Sequence, residues 1–254
     1  MNLAHLQRVW AVRFDWGSSA ALAIGRDAGV AVVVDVLSFT TTLSVAADLG
    51  IEVLPFRWRD DSAVAYAAQQ GAVLAVGRSE VAAGSVSLSP DSIRRAVGLK
   101  RLVLPSPNGS SIAYSLAASA RVCVGASLRN ARAVPEWIAE YHNEGSAVAV
   151  IAAGERWPDG TLRSAVEDVW GAGAVPSELE RLRPALAMSP ESEMAVAAWR
   201  AVRERVGPAL EQCASGQELI AAGYTSDVRI ASEVDESRSV PVLAGHVFVD
   251  RAAR

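Results

Sequence analysis

Three stretches of this chain put acids, hydroxyls and small turn residues where they could handle a phosphate. In "AVVVDVLSFTTT" (31–42) a β-branched run ends on Asp35 and opens into Ser38, Thr40, Thr41 and Thr42. Read as a buried strand followed by a helix, it sets a carboxylate and several hydroxyls at a strand's carboxyl end. The free N–H groups of a helix N-terminus attract anions there. In "LPSPNGSSIA" (104–113) an Asn108-Gly109 turn leads to Ser110 and Ser111. Asn and Gly accept left-handed backbone and leave amides pointing outward as an anion-binding nest. In "AAGERWPDGTLRSAVEDVWGAG" (152–173) a strand ends in a small-residue turn and a later helix carries Glu167 and Asp168. Neighbouring helical positions diverge by about 100°, so at most one of the two acids is expected to aim straight into the site. A magnesium ion wants one or two carboxylates plus phosphate and water oxygens, which Asp35 with Glu167 or Asp168 could supply. Asp35 is then either metal ligand or nucleophile. A plainer account competes: a strand end, threonines capping a helix, a common Asn-Gly turn and solvated helix acids.

Several familiar chemistries are excluded. Asp35 is followed by Val-Leu-Ser, so the second aspartate of haloacid dehalogenase-type phosphatases is missing. "GAGAVP" (171–176) lacks the third glycine of a dinucleotide fingerprint and follows helical pattern, and no GxxxxGK[ST] loop occurs. His5, His142 and His246 are dispersed without zinc spacing, and His142 reads as a dipole partner at a helix C-terminus.

The elements that must position these groups are legible as apolar runs: 30–36, 72–76, 101–105, 121–125 and 147–153. Each precedes a helix-like segment. Runs apolar on both faces alternating with helices predict an α/β protein, a three-layer α/β/α sandwich around a mainly parallel sheet. Asp60, Asp61 and Ser62 suit the start of one helix and Gly71 its end, while Ser189-Pro190 opens another. "SVPVLAGHVFVD" (239–250) reads as an edge hairpin. The expectation is a single domain over 1–254, with the helix-rich segment 176–222 as an insertion or flap.

A chain of 254 residues that is 51% hydrophobic can bury a sizeable core unaided. With 24 basic against 28 acidic residues, and no basic stripe, a nucleic-acid partner has no support. Cys123 and Cys213 are far apart and read as reduced thiols. No apolar run reaches the ~18 residues of a membrane span. The expected setting is cytoplasmic, without membrane association, with a small anionic organic phosphate as partner. Apolar residues in "ALAIGRDAG" and around the seven tryptophans suggest a homodimer.

"VVVDVLSFTTT", "SPNGSS", "VGASLRNARAV", "AAGE" followed by "VEDVWGAG", and "VPVLAGHV" occur in the order seen in the 2-phosphosulfolactate phosphatase family. The sequence resembles that family well over about 10–175 and loosely beyond. The resemblance implies a Mg2+-dependent acid phosphatase acting on 2-phospho-3-sulfolactate, a step of coenzyme M synthesis. Carried over by position, Asp35 and Asn108 are the catalytic candidates, Gly109 belongs to the phosphate nest, and Glu167 and Asp168 to the metal shell. Ser38, Thr40, Thr41, Ser110 and Ser111 complete the expected phosphate site. The chain departs from the family pattern where Ser38-Phe39 replaces Arg-Ala, where Ser111 replaces an arginine, and where Gly-Glu-Arg becomes "GRSE", leaving Arg78 and Glu80 as a rearranged pair. Compensating cations are expected from Arg129, Arg132, Arg156 or Arg163. A non-catalytic anion-binding regulatory protein on the same fold is the alternative.

Overall fold

The computed structural model describes residues 2–57, 61–80, 85–117, 120–141 and 146–252, so Trp58, Asp60 and His142 lie outside the described residues. The strands are β1 (Val12–Trp16), β2 (Val30–Val34), β3 (Glu52–Phe56), β4 (Val73–Leu74), β5 (Arg101–Pro105), β6 (Val122–Ala126), β7 (Val148–Ala152), β8 (Glu155–Arg156), β9 (Leu162–Arg163), β10 (Pro241–Ala244) and β11 (Val247–Asp250). The helices are α1 (Gly17–Ala23), α2 (Phe39–Asp48), α3 (Asp61–Gln70), α4 (Pro90–Arg94), α5 (Gly109–Ala117), α6 (Ala133–Tyr141), α7 (Val166–Leu182), α8 (Pro190–Val202), α9 (Val206–Gln212), α10 (Ala214–Ala221) and α11 (Thr225–Ala231). Nine strands form one sheet in the order β1-β7-β2-β6-β10-β11-β3-β5-β4, while β8 and β9 pair as a small hairpin beside it.

Alternation along β2 shows the three layers. Val30, Val32 and Val34 face a core shared with α6, α7 and α8, whereas Ala31 and Val33 face a second core shared with α1, α2 and α5. Both faces are sealed, as the uniformly apolar runs require. The fold is α/β as expected, but the sheet is mixed in a specific way. β1, β7, β2 and β6 run parallel to one another, as do β3, β5 and β4. The β10–β11 hairpin joins the two blocks by three antiparallel pairings, so the blocks run in opposite senses. This hairpin is therefore central rather than at an edge. Its Val242 and Phe248 are buried, and it covers strand edges that would otherwise be left unpaired.

The segment 176–222 is not a flap. α7 begins before it and runs through Pro176, and Ala195, Trp199, Val202, Ala209 and Leu210 complete one core. Of the apolar residues of "ALAIGRDAG", Ala21, Ile24 and Ala28 are buried, whereas Leu22 is exposed. Among the described residues no helix is long and apolar enough to cross a membrane.

Candidate functional site

Asp35 is the first residue beyond β2, and two helix N-termini converge on its buried carboxylate. Oδ1 accepts the N–H of Phe39, which opens α2 (3.1 Å), and Oδ2 accepts the N–H of Gly109, which opens α5 (3.1 Å). The second bond joins distant parts of the sheet, because four strands separate β2 from β5. Laid flat, five inter-strand steps would span about 24 Å. Helix α5, which begins at Gly109, lies across that gap, packed against β3, β6 and β2. The contact also requires glycine: a Cβ on Gly109 would sit 2.4 Å from the Phe39 ring and 2.7 Å from Asp35 Oδ2.

Behind Asp35 the hydroxyls brace the turn. Thr40 Oγ1 accepts the Asp35 N–H (2.9 Å) and donates to the Asp35 carbonyl (2.8 Å), and Thr41 Oγ1 donates to the Val36 carbonyl (2.8 Å). Ser110 Oγ donates to the Leu104 carbonyl (2.9 Å), and Ser111 is buried on α5. These four side chains shape the site and are not part of the cleft wall.

In front of Asp35 lies a cleft of about 240 Å³ whose polar wall is Asp35, Ser38, Arg78, Asn108 and Glu155, closed on its apolar side by Phe39, Leu88 and Leu104. Asn108 Nδ2 donates to Glu155 Oε2 (2.9 Å), so the Asn-Gly turn holds an acid as well as offering an amide. Ser38 Oγ accepts a bond from Arg78 Nη2 (2.6 Å). Glu155 is the site residue that the sequence reading missed. It stands directly after the β7 turn in the "AAGE" motif, and an acid in that position was the available signal.

Glu167 and Asp168 diverge as adjacent helical residues must, and neither is part of the cleft wall. Asp168 lies behind Asp35 as a clamp: Oδ1 accepts the Val36 N–H (2.7 Å) and Oδ2 the Gly154 N–H (2.8 Å), tying the ends of β2 and β7 to α7. Glu167 is buried against the Cys213 thiol. Burial, with a contribution from Glu167, pushes that thiol up to about 12, and burial alone does the same for Cys123.

Three acids of this buried region, Asp35, Glu155 and Asp168, are held above the ordinary carboxylate range. Burial pushes Asp35 up to about 6; the Phe39 and Gly109 amides oppose this and the Glu167 charge adds to it. Glu155 is pushed up to about 7 by burial, then by the charges of Asp35 and Glu167, against the opposing charge of Arg163. Burial and the same neighbouring charges drive Asp168 well above the usual carboxylate range. Among the described residues no three acidic, histidine or cysteine side chains converge as a ready metal cage. Asp35 nevertheless fits a hard divalent cation carried mostly by water and substrate oxygens, because such an ion would offset the burial and the Glu167 charge that raise it.

Of the cations expected to compensate for Ser38 and Ser111, Arg129 is buried and paired with Asp48 (2.8 Å) and Glu233. Arg132 faces Asp235 (3.5 Å), and Arg156 donates to the Gly160 carbonyl in its own hairpin (3.1 Å). Arg163 donates to Ser215 Oγ (3.1 Å). None of the four is part of the cleft wall; Arg78 is.

A family model described as 2-phosphosulpholactate phosphatase matches residues 21–246, and so takes in the C-terminal helices and the first strand of the central hairpin. The chain is 30% identical over 223 residues to a Thermus thermophilus protein named probable 2-phosphosulfolactate phosphatase, covering 86% of this chain and 89% of the relative. A Parasynechococcus marenigrum protein of the same name is 32% identical over 219 residues, with 83% and 87% covered. A Deinococcus radiodurans protein, also so named, is 29% identical over 218 residues, with 84% and 87% covered.

Proposed function

Since the chain belongs to the 2-phosphosulpholactate phosphatase family, we propose that its cleft hydrolyses a small anionic phosphate monoester, (2R)-2-phospho-3-sulfolactate or a close relative, with Mg2+ as cofactor. The observation that carries this reading is Asp35, a carboxylate fixed by two helix N-termini at the wall of a cleft that also holds a guanidinium and a second acid. Bonding between Arg78 and Ser38 supports the substrate class, because it returns to position 38 the positive charge that the family pattern carries there.

In this reading Asp35 acts at the phosphoryl group, as nucleophile or as metal ligand. Glu155, raised to about 7, is half protonated near neutrality and gives its proton to the leaving oxygen as the ester phosphorus–oxygen bond breaks and a new one forms, to water directly or to Asp35, whose acyl phosphate water then hydrolyses. Asn108 keeps Glu155 in place through the amide bond at 2.9 Å. Mg2+ would be held by Asp35 together with water and substrate oxygens, leaving Glu155 free to carry its proton, and would supply charge neutralisation on the phosphoryl oxygens. Glu167 and Asp168 contribute through their charge and through the clamp behind Asp35.

A panel of phosphate monoesters, assayed with and without Mg2+, tests the reading. Mg2+-dependent release of phosphate is expected from at least one small anionic ester and from none with Asp35→Asn. Binding of phosphate without turnover of any ester would instead favour the anion-binding regulatory protein.

A further inference from the structure

Arg78 reaches the cleft from a short 3₁₀ turn (Arg78–Glu80), and the C-terminal helical segment holds it there. Its Nε donates to Oδ2 of Asp227 on α11 at 3.0 Å. Its backbone carbonyl accepts the hydroxyl of Tyr224 (2.7 Å), and the guanidinium carbon lies 5.5 Å from that ring's centre. Asp227 is completely buried, and its Oδ1 accepts bonds from Ser89 Oγ and from the Asp91 N–H (3.4 Å). A buried carboxylate is tolerated only when its bonding is satisfied. Here that satisfaction depends on an arginine whose side chain keeps 20% of its surface exposed at the cleft.

A cleft-wall arginine without such bracing would sample many rotamers. This one is fixed by Asp227, Tyr224 and Ser38, and only two of the five guanidinium N–H groups are used, on Asp227 and Ser38. Among the described residues nothing else takes an N–H from it, and it is the one cation among the described residues of the cleft wall. A pre-positioned guanidinium with N–H groups to spare, facing the space in front of Asp35, has the donor geometry for a phosphoryl oxyanion.

We propose that Arg78 grips the phosphoryl oxygens of the substrate, and that Asp227 of α11 and Tyr224, which precedes that helix, are its positioning residues. A helix 149 residues beyond the arginine then sets the anion affinity of the cleft. The inference rests on the reading of the cleft as a phosphate site, but it concerns binding and does not require turnover.

The test is calorimetric binding of inorganic phosphate and orthovanadate with Mg2+ present, alongside kcat, KM and thermal melting. Arg78→Ala is expected to weaken phosphate binding about 10–100-fold, in line with the loss of charge-assisted bonds, with partial rescue by added guanidinium ion. Asp227→Asn, which keeps the shape and drops the charge, is expected to weaken it about 3–10-fold, as for a bond made less directly. Combined with Arg78→Ala it should add nothing further, since both act through one group. Should Asp227→Asn fail to fold, Tyr224→Phe and Ser89→Ala enter the same cycle. Wild-type-like phosphate binding by Arg78→Ala, an additive double variant, or no phosphate binding by the native protein each overturns the inference. If the native protein hydrolyses no ester yet loses phosphate with Arg78→Ala, the hydrolytic reading falls and this one stands. If esters are hydrolysed and Arg78→Ala changes neither KM nor phosphate affinity, the reverse holds.

Discussion

The two ends of helix α2 carry ionic networks of similar composition and opposite character. At its N-terminus, Asp35 accepts the Phe39 amide and faces a cleft. At its C-terminus, Arg129 donates to Ser44 Oγ (3.0 Å) and Asp48 Oδ2 (2.8 Å) and pairs with Glu233. Ser237 extends that seam, with its hydroxyl on Asp48 Oδ1 (2.6 Å) and its N–H on the Arg129 carbonyl (2.9 Å). Both ends follow the helix dipole, an anion at the start and a cation at the finish. The balance differs. Around Arg129 a cation is surrounded by its counter-charges and the network is closed. Around Asp35 the acids Glu155, Glu167 and Asp168 outnumber Arg78, which already answers to Asp227. A closed network is a staple, whereas an unbalanced one lifts acid pKa values and leaves room for a charged ligand.

Activity should separate the two ends most widely. Asp35→Asn is expected to cut kcat by ~10²–10⁴, the scale of a lost catalytic group, with the metal-free melting temperature unchanged or higher because one repelling charge is gone. Arg129→Ala is expected to retain kcat per folded molecule. An insoluble Asp35→Asn protein, or an inactive but stable Arg129→Ala protein, would erase the distinction.

Stability should separate them in the opposite direction. Arg129→Ala leaves Asp48 and Glu233 without their shared cation, and urea unfolding should show a loss of about 3 kcal/mol, at the lower end for a buried pair because both acids keep about 30% exposure. A loss indistinguishable from zero would mean that the seam is not a staple.

Gly109→Ala sharpens the picture at the cleft end, since the new methyl meets Phe39 and Asp35 at less than 3 Å. Overpacking of this kind costs about 1–3 kcal/mol. Loss of activity should exceed what that destabilisation explains, because the Gly109 amide orients Asp35. Normal kcat in this variant would show that the amide is dispensable.

The smallest effect is a pH dependence. In metal-free buffer Asp35 and Glu155 titrate near 6 and 7 in the folded protein, above their ordinary 3.8 and 4.5. The folded state then holds protons that the unfolded chain has released, so the contribution of this pair to stability is greatest below about pH 4 and declines as pH rises to about 7. Glu155→Gln removes part of that slope, and its melting temperature relative to the native protein should rise from pH 5 to pH 7. A relative fall across that window would contradict the assignment.

Much of this was local enough to read directly. β2, β4, β5 and β7 lie within the runs read from the sequence, and β6 leaves its run only at Ala126. The carboxyl-end position of Asp35 and the turn at Asn108-Gly109 followed from the chemistry of single residues. β1 escaped notice because Arg13 and Asp15 interrupt it, and Arg13 satisfies itself by donating to the Trp10 and Ile24 carbonyls. β3 was masked by Pro55, which sits in its pairing with β5. The hydroxyls of Thr40, Thr41 and Ser110 were recognised as belonging to the site, but they turn inward onto backbone carbonyls.

Sequence alone determined the alternation of buried strands and helices, the acid at the end of β2 and the glycine turn that meets it, because each depends on residues within a few positions of one another. The tertiary structure decided which charges share that space. Helix α5, packed across β3, β6 and β2, brought Gly109 to Asp35, the β7 turn delivered Glu155, and α11 placed Asp227 behind Arg78. It also decided that Arg129 would be consumed by Asp48 and Glu233. Charge pairing depends on distance in space, and the distances here are set by how α5 crosses the sheet and where the last helices pack.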